Sequence, residues 1–135
     1  MFRERAIETL KKKGFKITKP RVWIVEFLHG NTSHPSATEI YEQLRIRNKN
    51  FSFATVYNTV DTLVKSGIIK QVTADPKCAR FDYDVSSHGH FYCKECGSVH
   101  DLFEIDVEVN DKVGDIESFE LTATGKCSKC IKGGN

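Results

Sequence analysis

"SFATVYNTVDTLVKSGIIKQVTADPKCARFDYD", residues 52–84, changes period in the middle. Ser52 is placed to cap a helix in which Val56, Val60, Leu63 and Val64 face inward, and Gly67 ends it. The other face is short and polar: Thr55, Asn58, Thr59, Thr62 and Lys65. "IIKQVTA" and "ARFDYD" then read as two short strands on either side of "DPKC", a turn signal. A short-polar helix running into a basic hairpin is what the end of a winged helix-turn-helix requires, so the residues before it should supply the other helices.

Residues 2–13 predict a helix with Phe2, Ala6, Ile7 and Leu10 on one face, stopped by Gly14. Thr18 is an N-cap for a second helix carrying Val22, Trp23, Val25, Phe27 and Leu28, ended by Gly30 and Asn31. Pro20 falls in its first turn, where a missing N–H costs nothing. Ser36 caps a third helix, with Glu39 three residues on as a capping box requires and a stripe of Ala37, Ile40, Tyr41 and Leu44. The fourth helix would then lie in the major groove, with Thr55, Tyr57, Asn58 and Thr59 towards the bases and Arg21, Lys49 and Lys65 on phosphates. The competing reading is a plain helical bundle with a solvated polar face.

Charge weighs towards a polyanion. Residues 1–84 hold 15 Lys and Arg against 9 Asp and Glu, whereas residues 85–135 hold 5 against 9. The 135-residue chain has no apolar run near the roughly 20 residues that span a bilayer, and its N-terminus lacks a secretory segment. The reading is a soluble, cytosolic protein with no membrane partner. That compartment is reducing, which favours metal ligation over disulfides for paired cysteines.

After Asp84 the character changes, and the boundary is expected at residues 83–86, giving units 1–84 and 85–135. "GHFYC" and "SVHDLFEIDVEV" read as strands, or a strand and a short helix, and "SFELTAT" as another strand. The fold class is therefore α+β: a winged helix-turn-helix, then a small domain of helix and strand. Cys93-Lys-Glu-Cys96 and Cys127-Ser-Lys-Cys130 form two CxxC turns, each able to give two thiolates to one ion. Four sulfurs suit structural zinc with no open position for catalysis. Two redox dithiols would need a thioredoxin-like context that is absent. Cys78 lies outside both pairs, as a free surface thiol in the hairpin turn. His88-Gly89-His90 puts two imidazoles on one side of a strand, with Asp82 and Asp101 near in sequence, which points to a second metal site.

In order along the chain, "HPSATEIYEQL", "SFATVYNTVDTLVKSGII", "RFDYD…HGHFYCKECG" and "CSKC" resemble the ferric uptake regulator (Fur) superfamily, from about residue 5 to residue 130. The resemblance implies a dimeric, metal-responsive transcriptional repressor with a C-terminal dimerisation domain, binding palindromic double-stranded operator DNA. It is nearest to the peroxide-responsive (PerR) branch, which implies a regulatory iron(II) or manganese(II) held by His34, Asp82, His88, His90 and Asp101. The iron-sensing branch typically has glutamate where Asp82 stands. It also has further ligands flanking the H-x-H, where this chain has Ser87 and Gly89. The same branch implies His34 and His88 as the residues that peroxide oxidises.

Two departures are visible. The usual "TPQR" at the start of helix two is "TKPR", and "LTATGKC" is shorter than the family's strand before the last CxxC, without its histidine. A smaller dimerisation sheet is expected, and His100, which has no family counterpart, is expected at the surface. The alternatives are an iron- or zinc-responsive uptake repressor without peroxide sensing, a zinc-ribbon interaction module, and a metal-dependent hydrolase. The last lacks a nucleophile and an HExxH-type helix, and the chain is read as a regulator, not an enzyme.

Overall fold

Helix capping and apolar periodicity set the first half. The computed structural model describes residues 1–86, 88–103, 105–106, 108, 111–116 and 119–133. The chain divides into two compact units, Met1–Val85 and Ser86–Asn135.

The first unit opens with α1 (Phe2–Lys12), α2 (Lys19–Leu28), α3 (Ala37–Ile46) and α4 (Phe53–Lys65). Each of the last three starts at a polar cap. Thr18 accepts from the Arg21 N–H, Ser36 and Glu39 form a reciprocal capping box, and Ser52 accepts from the Thr55 N–H. Gly67 (φ +73°) follows the end of α4 in the left-handed region that favours glycine. One core joins the elements: Phe2, Ala6, Leu10, Ile24, Val25, Leu28, Ile40, Leu44, Val56, Val60, Leu63, Ile69 and Phe81 are buried in it. Ile24, absent from the expected stripe of α2, is fully buried. Thr59, expected on the outer face of α4, is buried as well. It follows Val56 by three residues and precedes Leu63 by four, which is the spacing of the inward face.

The wing is a hairpin of β1 (Lys70–Val72) and β2 (Arg80–Asp82), antiparallel with Lys70 opposite Asp82. Both strands are shorter than expected, and β1 starts late because Ile68 and Ile69 turn into the helical core before it. The free edge of β2 is covered, since the Phe81 N–H donates to the Pro35 carbonyl at 3.0 Å.

The second unit is a three-stranded sheet in the order β4–β3–β5. The central strand β3 (Gly89–Cys93) runs antiparallel to β4 (Val99–Leu102) and parallel to β5 (Thr122–Gly125), and α5 (Ser128–Gly133) follows. Strand β4 stops at Leu102, so the expected run through Val109 is not a strand at its described residues, and Val107 and Val109 lie outside them. A 3-10 turn follows at Asp111–Val113. Strand β5 starts four residues into "SFELTAT", after Phe119, Glu120 and Leu121; Ser118 lies outside the described residues. Among the described residues, no helix is long and apolar enough to cross a membrane.

Candidate metal centres and DNA-facing helix

The four paired cysteines converge. Cys93 ends β3 and Cys96 lies in the tight turn after it, while Cys127 just before α5 and Cys130 within α5 complete the set. The four sulfurs all lie within 4.8 Å of one another. Cys93 and Cys130 are 3.7 Å apart and Cys96 and Cys127 are 3.8 Å apart. Zinc–sulfur bonds of about 2.3 Å in a tetrahedron place sulfurs about 3.8 Å from each other, so the donor set fits zinc. The backbone prepares the charge. N–H groups of Cys96 and Cys127 point at the Cys93 sulfur and hold its thiol down to about 6. The Ser98 hydroxyl, 3.0 Å from the Cys96 sulfur, lowers Cys96 as well. Cys130, hydrogen-bonded to Cys127 and partly buried, is pushed up to about 12. One thiolate thus forms readily while a neighbouring thiol keeps its proton, and a bound cation is what would let all four ionise. Ser98 is a residue that the CxxC spacing alone does not reveal.

The H-x-H histidines meet one carboxylate. Strand pairing sets His90 opposite Asp101. His88 Nε2 lies 3.0 Å and His90 Nε2 3.5 Å from Asp101 Oδ1, with the two imidazole centroids 4.6 Å apart. The Nδ1 of His88 is 2.9 Å from the Ser86 carbonyl, which fixes the ring. Gly89 between them has no space for a side chain. A Cβ there would stand 2.8 Å from Ile105 Cδ1 and 3.3 Å from the Leu121 carbonyl oxygen.

The first unit holds a second pair. His34 sits before α3 with φ +54°, and its Nε2 lies 3.3 Å from Asp82 Oδ2 on the wing. The Asp84 N–H donates to Asp82 Oδ1 at 2.9 Å and orients the carboxylate. Donors about 3 Å apart are what neighbouring positions around an octahedral ion with bonds of about 2.1 Å require. Both the His34–Asp82 pair and the His88–His90–Asp101 cluster fit that spacing, and their nitrogen and oxygen donors suit iron(II) or manganese(II).

On α4, Tyr57 (57% exposed), Asn58 and Lys65 face solvent and Thr55 is half-buried. Thr59 is not available to DNA. Lys65 pairs with Asp61 one turn earlier at 2.9 Å. The Arg21 guanidinium donates to the Lys16 carbonyl and lies over Phe15, and Lys49 lies over the Trp23 ring. Cys78 is exposed in the wing loop and His100 is exposed on β4.

Known proteins are similar to this chain over most of its length. The chain is 35% identical over 135 residues to the peroxide operon regulator of Bacillus subtilis, covering 96% of this chain and 93% of that protein. It is 34% identical over 139 residues to the peroxide-responsive repressor PerR of Staphylococcus epidermidis, covering 98% and 92%. The solved structure of PerR from Streptococcus pyogenes superposes with a TM-score of 0.56 at 28% identity, covering 95% of this chain and 92% of that one. The family model described as the ferric uptake regulator family matches residues 12–123. This chain therefore belongs to the ferric uptake regulator family, whose members are metal-responsive transcriptional regulators.

Proposed function

We propose that the protein is a dimeric, metal-dependent repressor that releases its operator when hydrogen peroxide oxidises a ligand histidine. The observation that carries this reading is the buried His34–Asp82 pair. It sets a nitrogen and a short-armed carboxylate of the first unit side by side, in a chain 34% and 35% identical to two regulators named for peroxide. In this reading one ion takes His34 and Asp82 from the first unit and His88, His90 and Asp101 from the second. An ion held by both units selects one orientation between them, with leverage limited to its differential affinity for that state.

In a dimer, that orientation sets the distance between two copies of α4, and therefore the spacing of two half-sites in a palindrome. Exposed Phe103 (59%) and Phe119 (51%) give the second unit apolar surface to bury against a second copy. Tyr57, Asn58 and Thr55 read base edges while Arg21, Lys49 and Lys65 neutralise phosphates. Structural zinc in the four-cysteine site holds the second unit together.

Bound iron(II) would supply an electron that splits the O–O bond of peroxide beside the imidazoles, whereas manganese(II) would fill the same positions and respond poorly. Overall the ring would give up two electrons and take one oxygen while the other leaves as water. His34 and His88 are the rings that gain oxygen. An oxidised ring no longer binds the ion as before, so the two units lose their common tie. The test is mass spectrometry of iron-loaded protein after limited peroxide. An oxygen added to peptides containing His34 or His88, together with loss of operator binding, is the expected result. Unmodified histidines and retained operator binding would replace this reading with that of an iron-uptake repressor.

A further inference from the structure

His34 adopts a backbone conformation that side-chain-bearing residues rarely occupy, with φ +54°. Such residues are strained and persist only where their surroundings over-determine them. Three consecutive residues of β2 do this. Arg80 Nη1 donates to the His34 carbonyl at 3.0 Å, the Phe81 N–H donates to the Pro35 carbonyl at 3.0 Å, and Asp82 Oδ2 faces His34 Nε2 at 3.3 Å. Strand alternation accounts for the division of labour: Arg80 and Asp82 project to one side and Phe81 to the other, into the core.

Arg80 is itself held. Its Nε donates to Asp75 Oδ2 at 3.0 Å and its Nη1 also reaches Glu39 Oε1 at 3.3 Å. Asp75 is buried, with its other oxygen accepting the Lys77 N–H at 2.9 Å, and Glu39 is fixed by the capping box of α3. A planar fork that reaches the wing loop, the first turn of α3 and the His34 carbonyl at once suits a guanidinium and not an ammonium.

We propose that Arg80 is a positioning residue for metal capture. It locks the His34 backbone so that the imidazole meets Asp82 before any ion arrives, and the Asp75 and Glu39 carboxylates aim it. This rests on the reading of His34 and Asp82 as ligands. Residues that orient metal ligands without touching the ion typically change affinity by about 10- to 100-fold when replaced.

The experiment titrates manganese(II), followed by the loss of the free-ion paramagnetic resonance signal, into zinc-loaded full-length wild type, R80K, R80A, D75N and H34A. Zinc content and thermal unfolding are measured on the same samples. Expected is a fall in manganese affinity of about 10- to 100-fold in R80A and R80K, and a smaller fall in D75N. Zinc content should stay at the wild-type value, and lysine should fail to rescue. H34A should lose the site. Wild-type manganese affinity in whichever of R80K, R80A and D75N folds overturns the proposal, even with H34A inactive. Wild-type affinity in H34A removes the ligand reading and this inference with it.

Discussion

His34 and Asp82 are 48 residues apart in sequence, one before α3 and one on the wing, yet His34 Nε2 and Asp82 Oδ2 lie 3.3 Å apart with both side chains almost fully buried. In the proposed reading this imidazole and carboxylate are two of five ligands, already side by side. Asp82→Glu keeps the carboxylate but moves it by one methylene. The expected outcome is retained metal-dependent operator binding with a weaker response to peroxide. His34→Ala should abolish metal-dependent operator binding, because it removes one of the two ligands proposed for the first unit. Gel shifts of iron-loaded proteins over graded peroxide check both, and an Asp82→Glu protein as peroxide-sensitive as wild type would show that the length of this arm is not what tunes the response.

Cys93→Ser should lose about one zinc per chain and the folded second unit, since binding energy at a structural zinc is folding energy. Cys78→Ser, by contrast, should keep its zinc, because Cys78 lies in the wing loop and bonds Asp75. Metal analysis with circular dichroism separates the two. A zinc-free, folded Cys93→Ser protein would refute the assignment.

Tyr57 and Thr59 are two residues apart on α4 and should behave oppositely. Tyr57→Ala removes an exposed ring, and should weaken operator binding with little change in stability. Thr59→Val keeps the volume of a buried residue and should leave operator binding intact. Binding by wild type should fall with salt, each neutralised phosphate adding about −0.9 to the logarithmic slope. Fluorescence anisotropy against salt reads both quantities, and unaltered affinity in Tyr57→Ala would take this face of α4 out of the interface.

Asp75 carries a pH signature. Burial alone would raise its carboxyl, but the Lys77 N–H and the Arg80 guanidinium outweigh burial and set it below the ordinary value. A depressed folded value stabilises the protein above the unfolded carboxyl range near 3.9, and that share is lost as pH falls through the folded value. Asp75→Asn should cost about 1.5–3 kcal/mol at neutral pH and flatten the acid limb of the stability profile. Urea melts of both proteins between neutral pH and pH 3 test it, with identical acid limbs as the contrary result.

Gly89 should tolerate no side chain. Ile105 Cδ1 can move aside, but the Leu121 carbonyl belongs to the segment that enters β5 and cannot move cheaply. Gly89→Ala is expected to destabilise by about 1–3 kcal/mol, measured by thermal unfolding of the zinc-loaded protein. A melt unchanged from wild type would mean that this segment yields.

The helical half was legible because its signals are local. Ser36 with Glu39, and Ser52 before an apolar stripe, each report a helix start within four residues. The two CxxC turns are legible for the same reason. What failed was decided by non-local packing. Thr59 has a polar side chain but falls on the buried side of α4, and periodicity weighted by polarity misplaces it. The alternation after Val99 continued in the sequence, yet β4 stops at Leu102, since a strand needs a partner as well as a pattern. Arg80 went unnoticed as a clamp because its acceptors, the His34 carbonyl and Glu39, are 46 and 41 residues away. Its two-residue offset from Asp82 on one strand was the available clue.

Strand β3 begins beside one candidate metal set and ends in another: His90 pairs with Asp101, and Cys93 joins the sulfur cluster. Three residues separate them, about 10 Å along an extended chain, and an odd offset turns their side chains to opposite faces. Sulfur at one end and nitrogen with oxygen at the other would sort incoming ions by softness. The short strand would also couple the two ends. Zinc at the sulfurs would join that end of β3 to α5, adding to strand pairings that already run from His90 to Cys93. Loss of an ion at the sulfurs would therefore be felt at His90, three residues away on the same strand.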